Sequence, residues 1–281
     1  MEPGIYIVST PIGNLDDITL RAIETLKHVS VIAAEDTRHS RRLLDHLGIS
    51  TALTSLHEHN ERGKASVLID RVHAGESIAL ISDAGTPLIS DPGYHLVRAA
   101  REQGVRVVPV PGVCALITGL SVAGLATDRF VFEGFLPAKR VGRMRIFERL
   151  RAESGTMVFY ESPHRIKEFM EDAAIVFGAD RMAVFARELT KRFETVAGGS
   201  LAELNALIAG DGNQSKGEFV VMIEGAAELS GEDAVAIDAD VLLLRLLQEL
   251  PIKKVAAVAA DIFKGSKKDM YERALLLQGR K

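Results

Sequence analysis

Cysteine is nearly absent from this sequence. Cys114 is the single cysteine among 281 residues, so no disulfide can form within the chain and a reducing compartment is expected. No stretch approaches the ~20 consecutive apolar residues that a membrane-spanning helix requires. The first residues, MEPGIYIVST, lack the basic and then apolar pattern of a secretory signal. These absences predict a soluble cytoplasmic protein without membrane association.

Several familiar site signatures are also missing. No G-x-G-x-x-G follows the first predicted strand and no G-x-x-x-x-G-K-[ST] occurs, which argues against standard dinucleotide and P-loop sites. No G-x-S-x-G elbow marks a hydrolase nucleophile. His57, Glu58, His59 and Glu61 share one loop. Alternate residues of an extended segment point the same way without any ion, so we expect no metal site. Cys114 is interpreted as a small apolar residue rather than a nucleophile.

The net charge of −4 hides two basic clusters. Residues 138–151 contain six Lys or Arg and one acidic residue, and residues 245–281 contain nine Lys or Arg and four acidic residues. Basic clusters on an otherwise acidic chain indicate contact with a polyanion at specific places. The alternative for either cluster is a solvated helix face, but the two clusters together favour the polyanion.

Short apolar runs alternate with amphipathic helical patterns through the first half of the chain. The runs that predict strands there lie at residues 5–9, 29–34, 53–56, 78–81 and 106–110. This alternation is typical of a parallel sheet covered by helices on both faces. A hinge-like segment at residues 124–128 separates two predicted α/β domains, residues 1–123 and 124–226. A polar linker then leads to a small basic helical domain at residues 236–281.

Three of the predicted strands end in turns rich in proline and glycine: STPIGNL, SDAGTPLISDPG and PVPGVCAL. Open α/β sheets bind ligands at the carboxyl ends of parallel strands, and glycines such as Gly85 let a ligand approach the backbone closely. We therefore expect a crevice for a small molecule at this sheet edge. The alternative is a structural turn in which Asp83 and Asp91 serve as caps.

These three turns resemble the tetrapyrrole-methylase superfamily, whose members transfer a methyl group from S-adenosylmethionine. Four further stretches are AEDTRHSRRLL, FEGFLPAKR, VFYESPHRI and ARELTKRFE. They resemble the branch that methylates the ribose 2′-hydroxyl of a cytidine in small-subunit ribosomal RNA. The resemblance covers residues 4–225 and continues less sharply through the basic tail. Ser9 stands where glycine is usual in this family, and Cys114 where serine or another small residue is usual.

The resemblance implies two α/β domains of the tetrapyrrole-methylase type with the cofactor in the cleft between them, followed by the small helical domain. The residues implied to hold S-adenosylmethionine are Pro11, Ala84, Gly85, Thr86, Ile89, Cys114, Ala115, Tyr160 and Leu189. Tyr160 and Leu189 would approach from the second domain, and plain core packing is the equal alternative for both.

The implied reaction needs no metal, because a sulfonium methyl group is already activated and the enzyme must chiefly align the attacking oxygen. A carboxylate near the ribose hydroxyl can remove its proton. Asp36 and Glu188 each follow a predicted strand in a matched motif and are the candidates. Asp36 is also placed to cap the helix that begins at Thr37.

Cations in the matched motifs and in the basic clusters are the candidates for contacts to RNA phosphates, which position a protein while base contacts specify the site. They are Arg38, Lys139, Arg140, Arg143, Arg145, Arg165, Lys191, Lys253, Lys254, Lys267 and Lys268. The expected partner is small-subunit ribosomal RNA or the assembled small ribosomal subunit, and the family implies a homodimer. One alternative is a methylase of a small tetrapyrrole, which would not need the basic segments. Another is a catalytically silent RNA-binding or ribosome-assembly protein.

Overall fold

The computed structural model describes residues 1–210, 216–227, 239–263 and 265–278. The chain forms two compact units, Met1–Ala226 and Ala227–Lys281. The first unit contains two five-stranded sheets and the second is helical. None of the described helices combines the length and apolarity that a bilayer crossing requires.

The first sheet of Met1–Ala226 is entirely parallel, with the order β3-β2-β4-β1-β5. Its strands are β1 (Gly4–Val8), β2 (Val31–Ala34), β3 (Leu53–Ser55), β4 (Ser77–Ile81) and β5 (Val107–Val110). The helices that follow these strands are α1 (Leu20–His28), α2 (Thr37–His46), α3 (Glu61–His73), α4 (Tyr94–Glu102) and α5 (Ala115–Ala123). The predicted parallel α/β arrangement is confirmed.

Side chains of the central strand β4 belong to two hydrophobic cores, one on each face of the sheet. Leu80 belongs to the core that contains Ile5 and Leu96, whereas the next residue, Ile81, belongs to the core that contains Leu26. Successive side chains of a strand point to opposite faces. Because both faces of β4 are covered, its residues 78–81 are apolar without interruption, and this continuous apolar run is what predicted the strand.

The second sheet is mixed, with the order β6-β7-β10-β8-β9. Its strands are β6 (Phe130–Phe135), β7 (Thr156–Glu161), β8 (Met182–Arg187), β9 (Thr195–Ser200) and β10 (Phe219–Ile223). Only the β6–β7 pair is parallel among these neighbours. Between the strands lie α6 (Arg140–Leu150), α7 (Ile166–Phe177) and α8 (Leu201–Gly210). The edge strand β9 was not predicted from the sequence, because TVAGGS carries two glycines and little of the usual strand pattern.

Helix α5 packs on this second sheet and so connects the two halves of the unit. Leu116 and Leu120 of α5 share a core with Val158, Val220 and Met222 of the sheet. The opposite face of the sheet carries an aromatic core. Within it, the ring of Phe147 in α6 makes edge-to-face contacts with Phe159, Phe169 and Phe177. The sheet is thus buried on both sides, and its strand ends meet the ends of the first sheet.

Polar side chains cap the N-termini of helices where the sequence patterns predicted them. The Thr19 hydroxyl accepts a hydrogen bond from the Ala22 N–H at 3.1 Å. Ser200 and Glu203 form a reciprocal capping box in which the Ser200 N–H donates to Glu203 at 2.8 Å and the Glu203 N–H donates to Ser200 at 3.2 Å. Gly124 ends α5 with a φ of 68°, which a residue without a side chain adopts readily.

The second unit contains α9 (Ala239–Leu246), α10 (Ile252–Ile262) and α11 (Lys267–Gln278). Their core is formed by Leu243, Val255, Ala259 and Ala274. The helical character predicted for residues 236–281 is therefore present in the part described. Most of the predicted linker, residues 228–238, and the predicted tail residues 264 and 279–281 lie outside the described residues.

Candidate active site

The three predicted turns meet at the carboxyl ends of β1, β4 and β5 and are joined by hydrogen bonds. The Ser9 hydroxyl of the first turn lies 2.9 Å from the Thr86 hydroxyl of the second. Thr86 in turn donates to the Val113 carbonyl of the third at 2.9 Å. The backbones of Thr10 and Gly85 also exchange two N–H···O bonds of 2.8 and 3.0 Å. The turns therefore form one connected edge, as the sequence predicted.

This edge forms one wall of a cleft of about 330 Å³ within Met1–Ala226. The other wall comes from the second sheet. The lining residues are Ile12, Glu35, Asp83, Ala84, Gly85, Thr86, Ile89, Ser90, Asp91, Cys114, Ala115, Phe135, Tyr160, Glu161, Ala186, Leu189, Glu218, Phe219 and Val220. Eight of the nine residues predicted to hold the cofactor are therefore on the cleft surface. Pro11 is not among them, and its neighbour Ile12 lines the cleft instead.

Tyr160 of β7 connects the second wall of the cleft to the third turn. Its hydroxyl accepts a hydrogen bond from the Leu116 N–H at 2.9 Å and lies 4.0 Å from the Cys114 sulfur. Burial, the strongest effect, and the neighbouring Cys114 raise the pKa of Tyr160 above its ordinary value. Tyr160 is therefore a neutral, fixed part of the wall, and Cys114 is held beside it.

The loops on both sides of the cleft contain backbone conformations that are costly for side-chain-bearing residues. Leu88 and Ser90 have φ values of 75° and 66°, and Glu188 and Thr190 have values of 50° and 66°. Each pair flanks a predicted cofactor residue, Ile89 or Leu189. A left-handed conformation costs a residue other than glycine roughly 1–2 kcal/mol. Such strain is concentrated at functional sites, where the surrounding structure imposes it.

One end of the cleft is acidic, with Glu35, Asp83 and Asp91 in its lining. Burial raises the pKa of Asp91 to about 6, helped by the negative charge of Asp83 and opposed by a hydrogen bond with Ser82. Burial also raises the pKa of Glu35, and the charges of Asp83 and Asp91 add to that effect. The sequence indicated Asp83 and Asp91 only as possible caps and did not indicate Glu35. The one available signal was their position in the segments that follow β2 and β4, with Glu35 directly after β2 and Asp83 and Asp91 in the long turn after β4.

Asp36 caps α2. Its carboxylate accepts hydrogen bonds from the N–H groups of Arg38 at 2.8 Å and His39 at 3.4 Å, and it forms a 3.2 Å ion pair with Arg38. Hydrogen bonds from the Arg38 side chain and backbone lower the pKa of Asp36. The capping alternative is therefore confirmed. Asp36 is not part of the cleft lining, whereas its neighbour Glu35 is.

Glu188 is occupied in holding the turn after β8. Its carboxylate accepts hydrogen bonds from the Lys191 ammonium at 2.9 Å and from the Glu218 N–H at 3.0 Å. Burial alone would raise the pKa of Glu188, but these hydrogen bonds and the charge of Lys191 hold it below its ordinary value. The stem of Lys191 passes where a side chain at Gly13 would lie. Glu188 and Lys191 therefore tie this turn to the first turn beside the cleft.

The predicted RNA-binding cations divide into buried and exposed groups. Arg143 has no exposed side-chain surface and pairs with Asp172 at 2.6 Å, so its predicted contact to RNA is wrong. A fully buried guanidinium cannot reach a phosphate, and here it stabilises the packing of α6 on α7. Arg165 is largely used within the fold, because it pairs with Glu161 at 3.0 Å and donates to the Leu136 carbonyl at 2.6 Å.

Arg140 shares features of both groups, because its guanidinium is exposed to solvent and also donates to Asp172 at 2.7 Å. The other predicted cations of the first unit, apart from the paired Lys191, are exposed: Arg38, Lys139 and Arg145. In the second unit, the lysines at positions 253, 254, 267 and 268 are all exposed. Among the described residues, no three His, Cys, Asp or Glu side chains gather as the ligands of a metal ion would.

The chemistry of the cleft fits S-adenosylmethionine. Ile12, Ile89 and Leu189 offer apolar surface to a purine ring, and the turn around Gly85 offers backbone groups to polar atoms. The acidic end suits the hydroxyl groups and positive charges of this molecule, because carboxylates accept hydrogen bonds and attract cations. Apolar walls with a few convergent polar groups are typical of cofactor sites.

Comparison with known proteins agrees with this geometry. Residues 4–205 match the family described as Tetrapyrrole (Corrin/Porphyrin) Methylases, and residues 233–278 match the family described as RsmI C-terminal HTH domain. The ribosomal RNA small subunit methyltransferase I of Pseudomonas aeruginosa is 54% identical over 98% of each chain. That of Escherichia coli O157:H7 is 53% identical over 98% of this chain and 96% of its own.

Solved structures show the same fold at low sequence identity. Uroporphyrin-III-C-methyltransferase from Thermus thermophilus is 20% identical, with a TM-score of 0.56 over 82% of this chain and 98% of its own. Diphthine synthase is 14% identical, with a TM-score of 0.59 over 78% of this chain and 89% of its own. The chain therefore belongs to the tetrapyrrole methylase family and, within it, to the group of ribosomal RNA small subunit methyltransferases I.

Proposed function

We propose that this protein transfers a methyl group from S-adenosylmethionine to the ribose 2′-hydroxyl of a cytidine in small-subunit (16S) ribosomal RNA. Members of its family use S-adenosylmethionine as the methyl donor, and relatives about half identical over nearly the whole chain are named small-subunit ribosomal RNA methyltransferases. The observation that carries the proposal is the cleft in which the three hydrogen-bonded turns face Tyr160 and Leu189.

The turns and the second wall would share the work of holding the cofactor. Backbone groups of Ala84, Gly85 and Thr86 would contact its polar atoms, while the other predicted residues would cover its apolar surface: Ile89, Cys114, Ala115, Tyr160 and Leu189. When bound, S-adenosylmethionine supplies a methyl group that its sulfonium charge already activates. The contribution of the chain is then to align the acceptor and exclude water, which are mostly effects of proximity.

A carboxylate near the ribose hydroxyl would accept its proton, and we assign that role to Asp91. Asp36 and Glu188 are engaged in a helix cap and in a turn, whereas Asp91 lines the cleft. The negative charge of Asp83 contributes to the raised pKa of Asp91, and the charge of Asp91 contributes to the raised pKa of Tyr160. With a pKa of about 6, its carboxylate is ionised at neutral pH and basic enough to accept a proton.

On a larger substrate, the exposed cations would contact RNA phosphates. Lys139 and Arg145 belong to the α6 region, and Arg38 lies in the first turn of α2, three residues after Glu35 of the acidic end of the cleft. A small tetrapyrrole would not need these side chains, which favours RNA as the substrate. Either ribosomal RNA alone or the assembled small subunit fits this description.

We also propose a cytoplasmic homodimer. Large apolar side chains on the single chain are exposed on several elements, among them Leu20, Ile117, Val122 and Phe193. Apolar side chains of this kind mark an interface with another chain where they form one contiguous patch, and a homodimer is what the family resemblance implies. Light scattering coupled to size-exclusion chromatography would give twice the 30.4 kDa chain mass for a dimer, and a mass of one chain at micromolar concentration would contradict it.

The direct test is to map methylated nucleotides in 16S ribosomal RNA from cells with and without this chain. The expected result is one ribose methylation that disappears with the gene and returns with the wild-type chain. Asp91→Asn should restore it poorly, because the amide cannot accept the proton of the ribose hydroxyl. An unchanged methylation pattern would refute the RNA substrate, and methylation of a corrinoid by the purified protein would favour the tetrapyrrole alternative.

A further inference from the structure

Phe135 is an unusual residue of the cleft because it is both part of the lining and 57% exposed. It is the last residue of β6, and its ring makes an edge-to-face contact with Tyr160 at a centroid distance of 5.6 Å. Tyr160 also contacts Phe132 at 4.9 Å. Three aromatic rings thus pack together, two of which, Phe135 and Tyr160, line the cleft, and Phe135 is the one that is exposed to solvent.

A β-bulge turns Phe135 toward the cleft. Phe132 pairs with Val158 of β7, but after a register shift Gly134 pairs with Phe159 and Phe135 with Tyr160. Without the extra residue, Phe135 would pair with the position after Tyr160 and point to the opposite face of the sheet, since side chains alternate along a strand. Bulges beside active sites are used to redirect a side chain in this way.

The neighbouring structure keeps this bulge in place. Gly134 has a φ of 63°, and a side-chain carbon there would lie 2.9 Å from the Ser90 hydroxyl oxygen of the opposite loop. The chain after Phe135 is held by Arg165, whose guanidinium donates to the Leu136 carbonyl at 2.6 Å. An exposed apolar ring is therefore maintained by a bulge, a glycine and a partly buried guanidinium contact, which indicates a ligand-binding role.

The sequence position of Phe135 indicates which ligand it contacts. Four residues later comes Lys139, and α6 with the exposed Arg145 follows directly. Along the chain, this ring of the cleft lining is therefore followed closely by the cations proposed to hold RNA phosphates. Proteins recognise unpaired nucleotides by stacking their bases on exposed aromatic rings.

We propose that Phe135 is the platform on which the base of the target cytidine stacks, so that its ribose hydroxyl faces the cleft. This inference rests on the proposed RNA methyltransferase function. Stacking uses the face of an aromatic ring, so tyrosine should replace Phe135, whereas leucine should not despite its similar apolarity. Phe130 at the other end of β6 is 39% exposed and is not part of the cleft lining, so Phe130→Ala is the matched control.

The test compares Phe135→Ala, Phe135→Leu, Phe135→Tyr and Phe130→Ala in the full chain. Affinity for S-adenosylhomocysteine is measured by calorimetry, and the KM and kcat for methyl transfer to small ribosomal subunits are measured separately. Phe135→Ala and Phe135→Leu should raise KM for the RNA substrate about 10- to 100-fold, in line with the loss of one stacked base. Phe135→Tyr and Phe130→Ala should stay within about twofold of wild type, and cofactor affinity should be unchanged in all four.

Three outcomes would overturn the inference. Equal losses of cofactor and RNA affinity in Phe135→Ala would assign the ring to the purine of the cofactor, and full activity of Phe135→Leu would exclude stacking. Binding of a 16S ribosomal RNA transcript, measured by fluorescence anisotropy, separates this inference from the proposed function. If wild type fails to methylate RNA, the function is refuted, while equal transcript affinities of wild type and Phe135→Ala would refute the stacking itself.

Discussion

The hydroxyl oxygens of Ser9 and Thr86 lie 2.9 Å apart, although 77 positions separate these residues in the chain. Thr86 uses its single hydroxyl proton to donate to the Val113 carbonyl, so Ser9 must donate to Thr86. The three turns of the first sheet are therefore oriented by one directed chain of hydrogen bonds. A site organised by the protein in this way loses less entropy when its ligand binds.

Thr86→Val should break this chain of hydrogen bonds with little change of shape. We expect the Val113 carbonyl and the Ser9 hydroxyl to lose partners, with a cost of about 1–3 kcal/mol in the free energy of unfolding. Affinity for S-adenosylhomocysteine should fall as well, because the turns lose their mutual orientation. Urea unfolding and calorimetry measure the two effects. Thr86→Ser retains the hydroxyl and serves as the control, so an equal loss in both variants would contradict the role of the hydrogen bonds.

Gly85→Ala should reduce cofactor affinity more than it reduces stability. Gly85 has a φ of +81°, and a side-chain carbon there would lie 3.4 Å from Ile12 and 3.8 Å from the Val113 carbonyl, within the cleft wall. Gly104 has a similar φ of +71° but open space around it. Both substitutions should cost roughly 1–2 kcal/mol of folding free energy, because alanine is strained at a positive φ. Only Gly85→Ala should weaken binding of S-adenosylhomocysteine, and the larger Gly85→Val should abolish it in a chain that still folds.

If Gly85→Val bound S-adenosylhomocysteine as wild type does, the turn would not be part of the cofactor site. Far-ultraviolet circular dichroism of the same sample distinguishes that result from unfolding. Equal weakening of cofactor binding by Gly104→Ala would show that backbone strain, rather than close approach to the ligand, is responsible.

Asp91→Asn should stabilise the protein at neutral pH. The folded state raises the pKa of Asp91 to about 6 from an ordinary value of 3.8, so ionisation of this carboxyl costs more in the folded than in the unfolded chain. This cost is absent below about pH 4 and complete above pH 6. The melting temperature of Asp91→Asn should therefore exceed that of wild type at pH 8, and the difference should vanish near pH 4.

Asp36→Asn provides the opposite case. Hydrogen bonds from Arg38 lower the pKa of Asp36, so its ionised form stabilises the fold above its unfolded pKa, and that contribution is lost as pH falls through its folded pKa. Asp36→Asn should therefore melt at a lower temperature than wild type at pH 8, with a smaller difference in acid. A stabilising effect of the same sign for both variants would contradict the environments described here.

The exposed lysines of the second unit should contribute to the salt dependence of RNA binding. Replacing Lys253, Lys254, Lys267 and Lys268 by glutamine removes four positive charges from exposed positions of α10 and α11. If all four contact phosphates, the slope of log affinity against log salt should decrease by about 3, at roughly 0.7 per phosphate of single-stranded RNA. Filter binding between 50 and 300 mM salt measures this slope. Deletion of residues 240–281 should have at least the same effect, and an unchanged slope in both would exclude these contacts.

Features that depend on neighbouring residues could be predicted from the sequence. The strands β1, β4 and β5 and their turns were predicted because buried parallel strands are short apolar runs and because glycine and proline mark the bends that follow. The caps at Thr19 and Ser200 were equally local. Once the ends of parallel strands are placed at one edge, the residues of their turns must lie near each other, and most of the cleft lining follows from that.

The misses share a different cause, which is that they depend on partners distant in sequence. Arg143 lies in a basic cluster but is buried against Asp172, because α6 packs on α7. Glu35 lines the cleft while its neighbour Asp36 caps a helix. A sequence pattern alone does not show which of two adjacent carboxylates faces a ligand. Residues of β9 form a strand because they pair with β8, although their intrinsic strand propensity is weak.

The sequence by itself determined the parallel α/β sheet and the three turns at its edge, because both follow from local apolar periodicity and turn chemistry. It also carried the motifs whose resemblance indicated the family of methyltransferases, which the comparisons then showed. Only the tertiary structure decided that Asp91 belongs to the cleft, that Arg143 is internal and that the bulge in β6 turns Phe135 beside Tyr160. Each of these depends on register or packing between segments far apart in the chain, for which local sequence carries no signal.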